Sequence, residues 1–146
     1  VWHEVVILRY ETNLTLQVDE HFVRRNLPSE VRELNVHFGV YLGGMSGYTL
    51  SYLQGIENFR GCISDVFYNN INIFKRARDR SNHVETDRIS WNCAPEFDAE
   101  NHETISFVDD VEGFMVYQKP IDERKTRHGD AWSFEFRTIE EYGALL

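Results

Sequence analysis

Phe59-Arg60-Gly61-Cys62-Ile63-Ser64-Asp65-Val66-Phe67-Tyr68 is the stretch on which the fold turns. Aromatic and β-branched residues recur through it, a composition that suits a pleated, half-buried surface better than a helix. It stops at Asn69-Asn70, a pair that tolerates the left-handed backbone of a tight turn. The stretch therefore predicts a strand, with one of the chain's two cysteines near its start.

Upstream, Trp2 to Tyr10 is again rich in β-branched and aromatic residues. Leu14, Leu16 and Val18 then alternate with Thr15, Gln17 and Asp19, which is the period of a strand. Glu11-Thr12-Asn13 between these runs predicts a hairpin loop. Val36 to Leu42 predicts another strand, ending at Gly43-Gly44. Ser29 to Leu34, capped by Ser29 after Pro28, is at most one helical turn, and no segment has a convincing amphipathic helical period.

Downstream, Lys75 to Asn92 is polar and of mixed charge, and Ala94-Pro95-Glu96 follows Cys93 directly. A domain boundary is expected there, dividing the chain into 1–94 and 95–146. Charge supports it: 10 basic minus 11 acidic residues leaves −1 before the boundary, and 5 minus 13 leaves −8 after it. Beyond it, Ile105 to Val108 and Phe114 to Tyr117 predict short strands. Trp132, Phe134 and Phe136 alternate with Ser133, Glu135 and Arg137, so the first three are expected to face a core.

The whole chain has 146 residues, 42% hydrophobic and 14% aromatic, which is enough to build a core. A net charge of −9 argues against a general nucleic-acid binder, since such proteins need an excess of Lys and Arg. The longest aliphatic run, Val5 to Leu8, falls far short of the roughly 18 residues that cross a bilayer. Starting at Val1 with no leader-like segment, the chain reads as an excerpt from something longer.

Cys62 and Cys93 form no CxxC pair, so zinc or thioredoxin-type chemistry is poorly supported. A disulfide and two buried thiols remain the alternatives. The six histidines, His3, His21, His37, His83, His102 and His128, lack the three-to-five spacing of helical or finger-type zinc sites. Asp109-Asp110 with Glu112, or Glu140-Glu141, suggest a glycosidase pair only superficially, because neighbours in one loop do not converge across a cleft. Enzymatic activity is not expected. Lys75, Arg76, Arg78 and Arg80 are the one basic cluster, read either as a contact for sulfated glycans or as an exposed loop neutralised in part by Asp79, Glu85 and Asp87. Asn13-Leu14-Thr15 is an N-glycosylation sequon.

Trp2-His3-Glu4-Val5, a hairpin ending Leu16-Gln17-Val18-Asp19, Tyr41-Leu42-Gly43-Gly44, and Phe59-Arg60-Gly61-Cys62-Ile63-Ser64-Asp65-Val66 occur in an order that resembles the second half of a laminin G-like domain. Gly129-Asp-Ala-Trp-Ser-Phe-Glu-Phe-Arg-Thr138 and Tyr142 to Leu146 look like the opening of a second. The tandem is similar to the paired laminin G-like domains of the chondroitin sulfate proteoglycan 4 family, which includes the Kon-tiki type.

That resemblance implies an all-β, antiparallel jelly-roll sandwich, present as the C-terminal part of one domain (1–94) and the N-terminal part of a second (95–146). It also implies a Cys62–Cys93 disulfide. The expected role is an extracellular adhesion or recognition module of a cell-surface proteoglycan, a glycoprotein and membrane protein whose sandwich-rim loops bind matrix proteins or sulfated glycans. The parent would be single-pass, with this segment not touching the membrane. A lectin-like or glycan-hydrolysing jelly roll is the alternative. A calcium ion at the rim is implied, but each part lacks the half that would complete its site, so no ligand is named. On this reading each half-sandwich leaves its inner face bare, with Phe134 and Phe136 exposed, and the isolated chain is not expected to fold cooperatively.

Overall fold

The computed structural model describes residues 1–29, 39–44, 55–79, 82–93, 104–107, 113–118, 129–141, 143 and 145. Almost all of the regular structure in them is antiparallel strand. The Ser29 to Leu34 turn lies largely outside the described residues, as do His37, His102, His128, Asp109, Asp110 and Glu112.

The first hairpin forms where expected. β1 (His3–Tyr10) and β2 (Asn13–Val18) pair with Val5 opposite Val18 and Tyr10 opposite Asn13. Glu11 takes the left-handed backbone of the turn, at φ 51°. A further strand, β3 (His21–Asn26), extends the sheet with all six residues exposed. Nothing in His-Phe-Val-Arg-Arg-Asn alternates between apolar and polar, so β3 carries no period-2 signal.

β4 (Val40–Leu42) and β5 (Gly61–Tyr68) also stand where the sequence puts strands. Asn69 and Asn70 turn the chain with positive φ into the two-residue β6 (Ile71–Asn72). The stretch read as a loop is instead the helix α1 (Ile73–Arg78) followed by strand β7 (Val84–Asp87). Then come β8 (Thr104–Phe107), β9 (Phe114–Tyr117) and β10 (Asp130–Arg137).

One sheet has the order β3-β2-β1-β10-β5-β6, with β8 also pairing β5; the other has the order β4-β9-β7. β10 thus lies between β1 and β5, with Phe134 opposite Val5 and Phe136 opposite both His3 and Ile63. The expectation of a bare half-sandwich is overturned at these residues. Trp132 and Phe134 are buried, and Phe136 packs against the core. Strands from both sides of residue 95 share both sheets, and one core takes side chains from both.

A bulge fixes how β5 serves that core. The register slips between Ser133 and Glu135, and Asp65 adopts φ 51° opposite the slip. The extra residue lets Ile63, Val66 and Tyr68 all face inward, which strict alternation would forbid. From the smaller sheet, Leu42, Met115 and Tyr117 meet them. The Tyr117 ring sits 5.8 Å from that of Tyr68 and 6.2 Å, edge-on, from that of Trp132. This aromatic cluster joins the two sheets. Burying each such side chain contributes about 1.5 to 3 kcal/mol.

Gly61 is needed where β5 begins. Its φ is 149°, and a Cβ there would collide with the Arg137 carbonyl oxygen. Only glycine lets the end of β10 come so close.

Candidate functional site

Cys62 and Cys93 are bonded, with their Cα atoms 5.6 Å apart. Cys62 faces away from the core on β5, so the bond fastens the segment ending at Cys93 across the outside of the larger sheet. That segment is laced down further. Ser90 bridges to Ser106, the Cys93 amide donates to Thr104 Oγ1 at 3.1 Å, and Ser106 Oγ donates to the Asn92 carbonyl at 2.9 Å. These bonds explain why the outward hydroxyls Thr104 and Ser106 are buried. The disulfide closes a loop that contributes about 3 to 4 kcal/mol in the chain-entropy model.

The basic cluster lies beside this clamp. Asn72 caps α1, its Oδ1 accepting from the Lys75 amide at 2.9 Å, which satisfies a donor that the first turn would otherwise leave open. Ile73 and Phe74 anchor the helix in the core, and this is why the segment does not run as an exposed loop. Six residues with only two apolar anchors give no readable helical period, and the sequence signals that fit the helix are the Asn72 cap and the basic last turn.

Lys75 and Arg78, three apart, share a face, and both are exposed; Arg76 is half-buried. Arg78 lies over the Trp91 ring at 5.1 Å, and Trp91 stands edge-on to Phe74 at 5.9 Å. The cation is thus positioned by an aromatic platform two residues from the disulfide. Arg88 is engaged with Asp87 at 3.7 Å, and Arg80 lies outside the described residues. The structure therefore gathers Lys75, Arg76 and Arg78 on one short helix, with Lys75 and Arg78 exposed and Arg76 half-buried.

Asn13 opens β2 beside the hairpin turn and is exposed. At the other end of the hairpin, His3 and Asp19 form a pair that sequence reading missed. Asp19 Oδ2 meets His3 Nδ1 at 2.8 Å and its Oδ1 accepts from the Glu4 amide at 2.9 Å, while the His3 ring lies 5.3 Å from Phe136. The hydrogen bond from His3, then that from the Glu4 amide, holds the Asp19 carboxyl below its usual value of 3.8, because both favour the charged form.

A carboxylate depressed in this way stabilises the fold above its unfolded pKa, and that contribution is lost as pH falls through the lower, folded value. In an NMR pH titration, Asp19 should therefore titrate below 3.8. In His3→Ala, it should move back toward that ordinary value.

Arg9 and Asp130 form a buried ion pair at 3.4 Å, with side chains 8% and 7% exposed. The Tyr68 hydroxyl donates to the same carboxylate. The pair ties one end of β1 to β10 and β5, and is structural in position.

For calcium, a set of six to eight converging oxygens is required. Among the described residues no group of three or more His, Cys, Asp or Glu side chains comes together to hold a metal. Glu140 and Glu141 are exposed near the surface, with Glu140 4.0 Å from Arg60. Among the described residues no helix is long and apolar enough to cross a membrane.

Comparison with known proteins agrees with this architecture. Residues 1–71 match the laminin G domain family model. The chain is 33% identical over 146 residues to contactin-associated protein 1 of rat, covering 99% of this chain and 10% of that protein. The human protein of the same name is 30% identical over the same length. Neurexin-4 of the fruit fly is 32% identical over 79 residues, covering 54% of this chain and 6% of that one. The chain thus spans about a tenth or less of the length of these relatives, and no solved structure matches it significantly. Residues 1–71 belong to the laminin G domain family, and the chain that carries them is built almost wholly of antiparallel strands in two sheets.

Proposed function

We propose that the chain is an extracellular module, part of the ectodomain of a single-pass cell-surface protein, which binds matrix proteins or sulfated glycans through exposed loops and the α1 surface. The single observation that carries the extracellular reading is the Cys62–Cys93 bond, since such bonds persist in oxidising compartments. A proteoglycan parent is one version of this reading. Similarity to contactin-associated protein 1 and neurexin-4 supports the cell-surface adhesion part of this reading.

The joint at 94/95 is part of the same proposal: residues 1–94 end one laminin G-like domain and 95–146 begin the next. The change in net charge there supports it. In the 146-residue chain, β10 then takes the place beside β1 and β5 that an opening strand of the first domain would otherwise hold.

Sulfated glycans are the partner class that suits Lys75, Arg76, Arg78 and Arg80, whose contribution should be modest and sensitive to salt. The Arg76→Gln/Arg78→Gln/Arg80→Gln variant is expected to elute from immobilised heparin at lower salt while keeping part of its retention. Unchanged elution would remove the glycan role of this helix. Complete loss would make the helix the whole of the site.

A further inference from the structure

The outer face of the β1-β2-β3 hairpins carries apolar side chains that the core does not use. Pairing in register places them in rows. Tyr10, Asn13 and Asn26 form the row nearest the turn, Leu8, Thr15 and Arg24 the next, and Val6, Gln17 and Phe22 the third. Tyr10 is 59% exposed, Phe22 59% and Leu8 47%, while Val5 on the opposite face is buried. Phe22 is already shielded on one side by the Arg24 guanidinium, 5.0 Å from its ring. Among the described residues no cation lies over Tyr10 in the same way, and Leu8 stays 47% exposed.

Asn13 sits directly across from Tyr10, on the same face, and is the acceptor of the Asn13-Leu14-Thr15 sequon. Directly opposite residues on an antiparallel pair bring their side chains within contact range. A sugar attached at Asn13 therefore emerges beside the Tyr10 ring, with Leu8 one row further along. The C–H face of an N-acetylglucosamine is apolar and flat enough to lie on an aromatic ring, and covering an exposed tyrosine in this way removes apolar surface from water.

We propose that Asn13 bears an N-linked glycan whose first N-acetylglucosamine packs on Tyr10, so that carbohydrate forms the cover of this face and stabilises the hairpin. The linkage forms when Asn13 Nδ2 bonds to the anomeric carbon of a lipid pyrophosphate-linked oligosaccharide. The bond from that carbon to the pyrophosphate breaks, the lipid pyrophosphate leaves with the electron pair, and the amide nitrogen loses a proton. The proposal rests on the extracellular reading above, because that donor is met only in the secretory pathway. It also explains the exposed rings without a protein partner, and it predicts that glycan and Tyr10 act as a unit.

The test directs the full 146-residue chain into the secretory pathway of mammalian cells. Intact mass before and after enzymatic removal of N-glycans reports occupancy. The melting temperature is then compared with and without glycan, in the parent chain and in Tyr10→Ala, a surface change that leaves the sequon intact. Removal is expected to lower the parent's melting temperature by about 2 to 4 °C and that of Tyr10→Ala by less than about 1 °C. A second readout needs no variant: the N-acetyl methyl protons of the glycosylated parent should show contacts to the Tyr10 ring by NMR. An unmodified Asn13 in secreted, disulfide-bonded protein would overturn the proposal while leaving the extracellular reading intact. Equal shifts in both proteins, or no contact to Tyr10, would overturn the stacking. Failure of the secreted chain to form the Cys62–Cys93 bond would instead overturn the extracellular reading on which it rests.

Discussion

Replacing Phe134 with Ala should destabilise the chain by about 3 to 5 kcal/mol, read from denaturant unfolding as a lower midpoint. Phe134 is 2% exposed, lies at the centre of β10 and faces Val5 across the β1–β10 pairing. Removing its ring deletes contacts to both neighbouring strands and leaves a cavity that close-packed surroundings fill only in part. The loss should be reported by probes in residues 1–93 as well as by those in β10, because a single core depends on it. A change of less than about 1 kcal/mol, or one confined to β10, would mean that Phe134 does not contribute to that core.

Asp130→Ala should cost a similar amount, about 3 to 5 kcal/mol, for a different reason. The substitution removes little apolar surface. It leaves the Arg9 guanidinium, only 8% exposed, without the Asp130 carboxylate, and it removes an acceptor of the Tyr68 hydroxyl. A buried cation that loses its carboxylate keeps a desolvation cost that its bond to the Glu11 carbonyl offsets only in part. Replacing both members with apolar residues, as in Arg9→Met/Asp130→Leu, should therefore be less damaging than Asp130→Ala alone. Equal destabilisation by the single and double variants would show that the ion pair is not the source of the effect.

Much of the strand content was legible in the sequence, and the reasons are local. Phe114 to Tyr117 is a strand with the expected bounds, and the Trp2 to Tyr10, Phe59 to Tyr68 and Trp132 to Phe136 readings each find a strand. Their signals are runs of β-branched and aromatic residues or strict alternation, which depend only on the residues themselves. β3 escaped because all six of its residues face solvent, so its strand state is imposed by pairing with β2. α1 escaped because it owes its helicity to Ile73 and Phe74 docking in the core.

Strand order lay further from reach. Whether β10 packs within another domain or beside β1 depends on long-range pairing, and the Trp132-Phe134-Phe136 pattern is satisfied by either. The candidate surface was legible in composition and not in geometry. Lys75, Arg76 and Arg78 stood out as a cluster, yet nothing in their spacing revealed that Trp91 underlies Arg78. The His3–Asp19 and Arg9–Asp130 pairs join residues 16 and 121 apart, distances at which sequence pattern is silent.

The insertion of β10 between β1 and β5 is what turns the pieces of this chain into one sandwich, and cross-strand proton contacts in the 146-residue chain measure it most directly. Opposed residues of an antiparallel pair bring their α protons close. NMR contacts should therefore link Val5 with Phe134 or their immediate neighbours along β1 and β10, with the Ser133 to Phe67 pairing seen on the other side. Finding β10 without contacts to β1 and β5, while the β1–β2 hairpin persists, would contradict the account.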